Sequence, residues 1–314
     1  MKKFLFKLGL FVTVTLLVLL SLPLLDGNAA TSSEFMAAMS DKHKRLASID
    51  RPKLILAGGS NLIFGVDSET LGKKLNVPVV NLGLRAHLGL DFILNELRDV
   101  ADKNDVVLLS MEYFMDTKGD EDLHRLASYY NPQALAYYTP KSNSVFKRFF
   151  EYRHMLYKKL ISDWITKGGP AYTRNDFNRF GDGVKHLTMK APSVLGSRYI
   201  IDSNKENEIK VLNDFYRFAQ EKGITVLFTY SPYARSEYTL NQKELILLHE
   251  KFKDRMHIKM LGKPGDLVYP DSLFFDNVYH LTKSGRDIHT KKLVQMLSGE
   301  TKTTGVNVRL VPAE

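Results

Sequence analysis

Short apolar runs that alternate with segments of helical periodicity constrain the fold of this chain more than any other feature. The runs are residues 53–57, 77–82, 105–110, 224–230 and 255–260, of which the last is the weakest. Apolar residues recur every three to four positions in segments 88–101, 206–222, 241–252 and 282–297. Strands covered on both faces form continuous apolar runs, whereas half-exposed strands alternate. The pattern therefore predicts an α/β fold, a three-layer α/β/α sandwich around a five-stranded parallel sheet.

One long segment does not fit this alternation. Residues 113–203 separate the third run from the fourth and are too long for a plain connection. Because Tyr and Phe crowd this segment together with Trp164, and Lys and Arg lie between them, we predict a mostly helical, aromatic-rich insertion over the carboxyl edge of the sheet. Two compatible interpretations stay open. Aromatic rings and cations would suit a lid or a surface for acidic sugars, and the rings would equally suit the core of a helical subdomain.

The N-terminus has the pattern of an export signal. Three lysines lie within the first seven residues, an uncharged apolar stretch follows at residues 8–25, and small residues come next. This order is typical of a secretory signal, and the stretch is also close to the shortest that spans a bilayer. We expect residues 1–30 to be a signal peptide or an N-terminal membrane anchor, with inner-membrane contact through residues 4–25. Whether the signal is cleaved is left open.

Such a signal assigns the rest of the chain to the exported side of a bacterial-type cell. We expect it in the periplasm or at the outer face of the cytoplasmic membrane. It divides into a polar stalk at residues 31–52, an α/β domain at residues 53–300 that contains the insertion, and a C-terminal tail at residues 301–314.

Charge and cysteine content exclude several classes of protein. The formal net charge is +9, of which residues 1–30 carry +2, so the exported part keeps about +7. A basic exported protein meets anionic polymers or lipid headgroups, and the chain has no motif for nucleic acid. The absence of cysteine excludes disulfides, thiolate metal sites and a cysteine nucleophile. No metal-ligand spacing or dinucleotide fingerprint occurs, so we predict no metal and no cofactor.

Candidate catalytic groups follow the first two predicted strands. The first strand ends in two glycines before Ser60 and Asn61, an arrangement that exposes a serine at a tight turn. The second strand ends near Asn81 and Gly83. The Gly83 N–H could face a developing oxyanion, with the Asn81 side chain holding the neighbouring loop. An ordinary Asn-Leu-Gly turn is the alternative.

A third candidate lies near the C-terminus. Asp276 precedes His280 by four residues, just before a predicted helix that Thr282 can cap. A serine nucleophile needs a base, and the base needs an acid that orients it. Because one segment supplies both groups, we predict that His280 serves Ser60 as the base and that Asp276 orients His280.

Taken in this order, the three segments resemble the SGNH/GDSL hydrolase superfamily over residues 53–112 and 224–298. That family carries a serine after the first strand, a glycine after the second, an asparagine after the third and an Asp–His pair before the last helix. The resemblance implies a flavodoxin-like SGNH fold. The site residues it implies are Ser60, His280 and Asp276 as the catalytic set, and Gly83, Asn61 and Asn81 around the oxyanion.

Two positions depart from the family pattern. Glu112 occupies the place of the asparagine after the third strand, and an ionised carboxylate would repel an oxyanion. Either Glu112 points elsewhere, or it is protonated, or the oxyanion is held by backbone N–H groups alone. The second departure is that the family usually places its acid three residues before the histidine, where this chain has Asn277. We favour Asp276, because an amide stabilises an imidazolium poorly.

The export signal, the divergent core and the large insertion also resemble accessory proteins of cell-surface polymer acylation, which work beside a membrane acyltransferase. We therefore expect an exported serine esterase or O-acyltransferase that acts on acyl groups of a cell-envelope glycan. Its expected partners are the glycan or an acyl donor, and a membrane acyltransferase. The alternative is a catalytically inactive protein of the same fold that binds or scaffolds polysaccharide biosynthesis, and Glu112 is its best support.

Overall fold

A computed structural model describes most of the chain. It covers residues 1–21, 32, 34–140, 172–189, 191–192, 194–196 and 199–304, with scattered residues between 147 and 161. The predicted end of the export signal, Trp164 of the predicted insertion and residues 305–314 of the predicted tail lie outside the described residues.

Five parallel strands form the central sheet. In chain order, the strands of the described residues are β1 (Leu54–Gly58), β2 (Val79–Asn81), β3 (Val106–Met111), β4 (Thr225–Tyr230), β5 (Tyr233–Ala234), β6 (Lys259–Leu261) and β7 (Val268–Tyr269). The central sheet has the order β2-β1-β3-β4-β6, while β5 and β7 pair separately. Leu54 at the centre aligns with Val79 on one side and Val106 on the other. The predicted α/β fold with a five-stranded parallel sheet is confirmed.

Helices cover both faces of this sheet. The helices of the described residues are α1 (Lys2–Ser21), α2 (Ala38–Ala47), α3 (Ser60–Gly65), α4 (Ser68–Leu75), α5 (Gly89–Val100), α6 (Glu121–Tyr130), α7 (Glu206–Lys222), α8 (Arg235–Arg255) and α9 (Lys283–Thr304). Of these, α3, α4 and α9 pack on one face of the sheet and α2, α5, α7 and α8 on the other. Local chemistry ends them where the sequence indicates. Gly223 ends α7 in left-handed backbone with φ 72°, and the Thr282 hydroxyl accepts the Gly285 N–H at the start of α9.

The sheet separates two hydrophobic cores, which explains why its strands lack alternation in sequence. The smaller core joins alternate strand residues to α3, α4 and α9, and includes Leu54, Leu56, Val106, Leu108, Leu227, Leu293 and Leu297. The larger core takes the intervening strand residues with α2, α5, α7 and α8, and includes Ile55, Val107, Leu109, Phe228, Met39, Leu97, Leu212 and Leu248. Each fully buried aliphatic side chain contributes roughly 1.5–3 kcal/mol, so both faces hold the sheet.

The segment predicted as a polar stalk belongs to the larger core instead. Met36 and Met39, in and beside the first turn of α2, are buried. Lys42 is also buried, and its Nζ donates to the carbonyl oxygens of Asn81 at 2.8 Å and Gly181 at 2.6 Å. The apolar residues of this segment thus pack on the edge of the sheet, and the ammonium group of Lys42 bonds to backbone rather than to solvent.

The described part of the predicted export signal is α1, whose apolar side chains are largely exposed. Among the residues that the structure describes, none of the helices combines the length and the apolarity needed to cross a membrane.

The described part of the insertion contains α6 and further helical residues between 147 and 161. Besides α6 it holds short 3₁₀ turns at Pro132–Ala136, Arg174–Asp176 and Lys185–Thr188. The segment at residues 172–189, called the return limb below, is fastened to the core by Asp182, which is fully buried. The Asp182 carboxylate accepts the backbone N–H of Ser68 at 2.9 Å and lies 3.5 Å from the guanidinium of Arg286. This limb therefore has a fixed position beside the carboxyl edge of the sheet.

Candidate active site

The turn after β1 places Ser60 at the carboxyl edge of the sheet. Gly58 ends the strand, Gly59 follows, and Ser60 is the first residue of α3. A side chain on Gly58 would overlap the carbonyl oxygen of Ser110 in β3, and one on Gly59 would overlap the carboxyl group of Glu112. The two glycines therefore allow the Ser60 turn to pack directly against the end of β3.

The segment before α9 presents His280 to this turn. Asn277 Oδ1 accepts the backbone N–H groups of Tyr279 at 2.9 Å and His280 at 3.1 Å, which closes a tight turn of the Asx type. The His280 ring packs against Phe64 of α3, with ring centroids 4.3 Å apart, and the residue is 8% exposed. The turn and the ring contact together fix the direction of the imidazole.

Ser60, His280 and Asp276 form one hydrogen-bonded line. The Ser60 Oγ lies 2.8 Å from His280 Nε2, and His280 Nδ1 lies 2.7 Å from Asp276 Oδ1. An ionised carboxylate can only accept, so Nδ1 carries the hydrogen and Nε2 is left to accept the Ser60 hydroxyl. This arrangement has the geometry of a nucleophile, a general base and the acid that orients the base.

Asn277 touches the same ring but cannot replace Asp276. Its Nδ2 lies 2.9 Å from Nδ1 and 3.3 Å from Nε2 of His280, and the two bonds to its Oδ1 fix the orientation of the amide. An amide nitrogen donates and cannot accept the Nδ1 hydrogen. Burial alone would raise the pKa of Asp276, but the hydrogen bond to His280 and the charge of that ring outweigh burial and lower it. Asp276 is therefore the ionised partner of the imidazole.

Glu112 follows β3 directly and lies against Ser60. Its Oε1 accepts the Asn61 backbone N–H at 2.9 Å, and the Ser60 Oγ lies 3.2 Å from the same oxygen. The residue is 1% exposed, and its Oε2 has no hydrogen-bond partner among the described residues. Burial raises the pKa of Glu112 against the opposing effects of the Asn61 N–H and of His280. The carboxyl group thus belongs to the site and does not point away from it.

Gly83 lies against the turn before Ser60, where a side chain on it would meet the Gly59 carbonyl oxygen. Its N–H donates to Asn81 Oδ1 at 3.0 Å, so the expected oxyanion donor is already engaged. Asn81 is fully buried and donates from Nδ2 to the Leu62 carbonyl oxygen and to Asp182 Oδ1, both at 2.9 Å. The Asn81 side chain therefore joins the turn after β2 to α3 and to the return limb of the insertion. The alternative of a structural Asn-Leu-Gly turn describes this segment.

Asn61 joins the turn that carries Ser60 to the end of β3. Its side-chain Nδ2 donates to Ser110 Oγ at 2.8 Å, and its backbone N–H is bonded to Glu112. The residue is buried and does not line the cavity beside Ser60. Asn61 consequently fastens the start of α3 to the end of β3 and makes no direct contact with that cavity.

A cavity of about 350 Å³ adjoins Ser60, Glu112 and His280. Aromatic side chains form much of its wall, namely Phe35, Phe64, Phe114, Tyr172, Tyr199 and Tyr279. Arg85 also lines it, is exposed, and has its guanidinium 4.9 Å from the centroid of the Phe35 ring. The cavity thus combines a polar end at Ser60 with aromatic faces and an accessible cation.

Much of this wall was missed by sequence reasoning. Phe35 comes from the segment predicted to be a stalk, and no pattern there indicates a contact with the site. Tyr172 and Tyr199 come from the insertion, where the density of aromatic residues was the available signal. Among the described residues, no group of three or more His, Asp or Glu side chains is arranged to hold a metal ion.

Comparisons with known proteins add little to this geometry. No family model and no curated protein matches the chain. One solved structure that it resembles is a lipolytic protein of the GDSL family from Desulfitobacterium hafniense DCB-2, at 12% sequence identity and a TM-score of 0.34. The likeness covers 78% of this chain and 98% of that one. A likeness of this size carries no argument about chemistry, for which the positions of the side chains are the basis.

Proposed function

We propose that this protein is a serine esterase or O-acyltransferase of the SGNH type that acts on acyl esters of a cell-envelope glycan. The observation that carries the proposal is the continuous hydrogen-bonded line from Ser60 through His280 to Asp276 beside a cavity. The line lies at the carboxyl edge of a parallel sheet, where α/β folds of this kind bind their ligands.

The geometry supports acyl transfer in two similar halves. Ser60 Oγ attacks the acyl carbonyl carbon, His280 Nε2 takes the hydroxyl proton, and the carbonyl electron pair moves to the oxygen. The Ser60 backbone N–H, one of the first of α3 and without an acceptor inside the helix, can donate to this oxyanion. When the pair returns, the alcohol leaves with the proton from His280. Water or a sugar hydroxyl then removes the acyl group, while Asp276 keeps the imidazole oriented.

The cavity wall supports an acylated sugar polymer as the substrate. Aromatic rings pack well on sugar faces, and Arg85 offers an exposed cation to acidic groups beside the ester. The export pattern and the positive charge of the exported chain favour the periplasm or the outer face of the cytoplasmic membrane, with a membrane acyltransferase as partner. If so, the protein releases acetate from an acetylated acidic polysaccharide faster than from an acetylated neutral one.

The decisive test is Ser60→Ala in the full chain. Wild-type protein should hydrolyse p-nitrophenyl acetate, and the variant should lose about 10⁶-fold in kcat, because no other group can form the acyl intermediate. A fluorophosphonate probe should label the wild type at Ser60 and leave the variant unlabelled. Ser236→Ala, at a serine outside the Ser60 cavity, is the matched control and should retain activity. Equal hydrolysis by Ser60→Ala and wild type would exclude the mechanism.

A second candidate function is a glycan-binding protein without catalysis. It is favoured by the engaged Gly83 N–H and by Glu112 in the place of an amide. In that case wild-type protein would have no esterase activity and would resist the fluorophosphonate. Polysaccharide binding, measured by calorimetry, would then be the same in Ser60→Ala as in the wild type.

A further inference from the structure

A series of cations packed on phenylalanine rings extends from the Ser60 cavity along the return limb. It begins at Arg85, which lines the cavity, is exposed, and has its guanidinium 4.9 Å from the centroid of the Phe35 ring. The Phe35 ring in turn packs on Phe177 of the return limb, with ring centroids 5.0 Å apart. The wall of the cavity is thus continuous with the surface of the return limb.

Two further arginines share the ring of Phe180, three residues along the same limb. The guanidinium of Arg45, from α2, lies 4.5 Å from the centroid of this ring, and that of Arg179 lies 4.8 Å from it. The Phe180 carbonyl oxygen accepts the Asn81 N–H at 2.9 Å, so the backbone that carries the ring is fastened to the end of β2. Arg45 and Arg179 are called the Phe180 arginine pair below.

A tight turn joins Phe177 to Phe180. The Gly181 N–H donates to the Asn178 carbonyl oxygen at 3.0 Å and closes this turn. Buried Lys42 supports it, because its Nζ lies 4.8 Å from the centroid of the Phe177 ring and donates to the Gly181 carbonyl oxygen at 2.6 Å. The surface from the cavity to the Phe180 arginine pair, called the cation track below, therefore has a fixed backbone.

The described residues do not balance the positive charge of the cation track. Arg85 and Arg45 make no ion pair within the part of the chain that the structure describes. Arg179 lies 3.7 Å from Glu69, but the same carboxylate is bonded more closely by Lys73, at 2.9 Å. Burial and the charge of Arg179 lower the pKa of Arg45, as expected where two cations lie together without an anion between them.

The chemistry of the cation track suits a chain that carries an anionic group at intervals. A guanidinium group packed on an aromatic face keeps its N–H edge free, and this edge can bond a carboxylate in two places. One such group at the cavity and two more at a single ring suit repeated carboxylates better than one small ion. A chain of sugar units can also enter a cavity with aromatic walls, whereas a flat lipid surface cannot.

We propose that the cation track binds a polyanionic glycan, with the ester-bearing unit in the Ser60 cavity and a more distant carboxylated unit at the Phe180 arginine pair. This inference rests on the proposed function and extends it, because the substrate is then selected by carboxylates away from the ester. Arg85 contacts a unit close to the ester, and the pair holds one further along the chain. Affinity therefore increases with the length of the glycan.

Calorimetry with galacturonic acid oligomers of increasing length tests the length dependence in the wild-type full chain. These oligomers have a carboxylate on every unit and no ester, so they are bound without being cleaved. Affinity should increase with length until the oligomer spans the cation track and then level off. Neutral maltose-type oligomers of equal length should bind much more weakly, and added salt should weaken the binding of the long acidic oligomers.

Substitutions of Arg179 test the Phe180 arginine pair. Its side chain is 74% exposed, so Arg179→Met and Arg179→Glu should fold, which thermal unfolding checks. Arg179→Met should weaken the binding of long oligomers about fivefold, and Arg179→Glu should weaken it more. Arg217→Met removes a comparably exposed arginine from α7, outside the track, and should bind like the wild type. With acetylated polygalacturonate, Arg179→Met should raise KM more than it lowers kcat, because the pair lies away from the reacting atoms.

Three results would overturn the cation track. They are an affinity that does not depend on oligomer length, equal binding of long oligomers by Arg179→Glu and the wild type, and an equal loss in Arg217→Met and Arg179→Met. Binding to phosphatidylglycerol vesicles that Arg179→Glu abolishes, without binding of the oligomers, would assign the pair to a lipid surface and overturn it as well.

These outcomes are distinct from failure of the proposed function. If the track is overturned while the wild type is labelled at Ser60 by the fluorophosphonate and hydrolyses p-nitrophenyl acetate, the esterase assignment stands. If Ser60→Ala hydrolyses as fast as the wild type, the esterase assignment fails and the placement of the ester fails with it. The oligomer affinities then still decide whether the track binds a polyanionic glycan.

Discussion

Two carboxyl groups belong to the site around Ser60, Glu112 beside the serine and Asp276 behind His280, and their surroundings differ. The Asp276 side chain is 36% exposed and bonds to His280, whereas Glu112 is 1% exposed, accepts the Asn61 backbone N–H and lies 3.2 Å from the Ser60 Oγ. Burial opposes ionisation of Asp276, but His280 overcomes it and lowers the pKa. Around Glu112 burial prevails and raises the pKa.

This difference shows that the neighbouring groups, and not the residue type, determine whether a carboxyl group of the site is ionised. A negative charge behind the imidazole stabilises the cation that forms there, while a negative charge beside the ester carbonyl would oppose the oxyanion. A site that needs both effects separates the pKa values of its two acids by placing one beside a base and burying the other. Substitutions at or beside each acid test whether the two carboxyl groups differ in this way.

The largest loss of activity is expected on substitution of Asp276, the ionised carboxyl group. Asp276→Asn should lower kcat about 10⁴-fold, because the amide favours the wrong tautomer of His280 and cannot stabilise its charge. Asn277→Ala removes the neighbouring amide and should cost about tenfold, or ~1.4 kcal/mol, through loss of the turn alone. Steady-state kinetics with p-nitrophenyl acetate measures both. Equal losses in the two variants would mean that Asp276 is not the orienting acid.

The substitution Gly59→Ala tests how closely the buried Glu112 carboxyl group is packed. The added methyl group overlaps the Glu112 carboxyl, so the variant should lose roughly 1–3 kcal/mol of unfolding free energy, measured by urea denaturation. Glu112→Ala in the same chain removes the overlap and should recover part of this loss in a double-mutant cycle. Gly299→Ala, where a side chain meets nothing within 4 Å, is the control and should not destabilise. Additive effects of the first two changes would contradict the close contact.

The smallest expected effect is on stability: the free energy of unfolding should depend on pH in opposite ways through Glu112 and through Asp276. The folded pKa of Glu112 is raised, so its contribution is fully present below the ordinary carboxyl pKa and is lost as pH rises through the folded value. The folded pKa of Asp276 is lowered, so its contribution is present above the ordinary value and is lost as pH falls through the folded one.

Melting temperatures should therefore diverge in opposite directions. Glu112→Gln should gain on the wild type as pH rises from about 4 to about 8, by a few degrees. Asp276→Asn should be least stable relative to the wild type at neutral pH and approach it at acidic pH. Parallel curves for wild type and Glu112→Gln would show that Glu112 titrates alike in the folded and unfolded chain.

The central sheet could be predicted from the sequence because a strand that is buried on both faces is a continuous run of apolar residues. The runs at residues 53–57 and 105–110 lie close to β1 and β3, since a strand covered twice can carry hardly any polar residue. The segment around α2 could not, because its lysines and arginines suggested a solvated stalk. Lys42 is nevertheless buried and uses its ammonium group on two backbone carbonyl oxygens, an arrangement that depends on distant chain segments.

The same contrast applies to the site. Ser60 could be proposed because glycines precede it at a strand end, and His280 because Asp276 stands beside it. The sequence left Gly83 open between an oxyanion donor and an ordinary Asn-Leu-Gly turn, because its bond to Asn81 depends on how Asp182 of the insertion holds that side chain. The aromatic wall was equally hidden, because Phe35 and Tyr172 reach the cavity only through tertiary packing.

The hydrogen bond between Ser60 and His280 joins residues 220 positions apart, and this distance has a consequence for how the chain acquires activity during synthesis. A growing chain folds from its N-terminal side, so β1, β3 and the Ser60 turn can assemble while His280 has yet to be made. Until the segment that carries His280 docks, Ser60 has no base, so the proposed esterase activity would be absent. Under the proposed function, a single measurement of hydrolysis would then show that synthesis has passed His280 and that the segment carrying it has packed against the Ser60 turn.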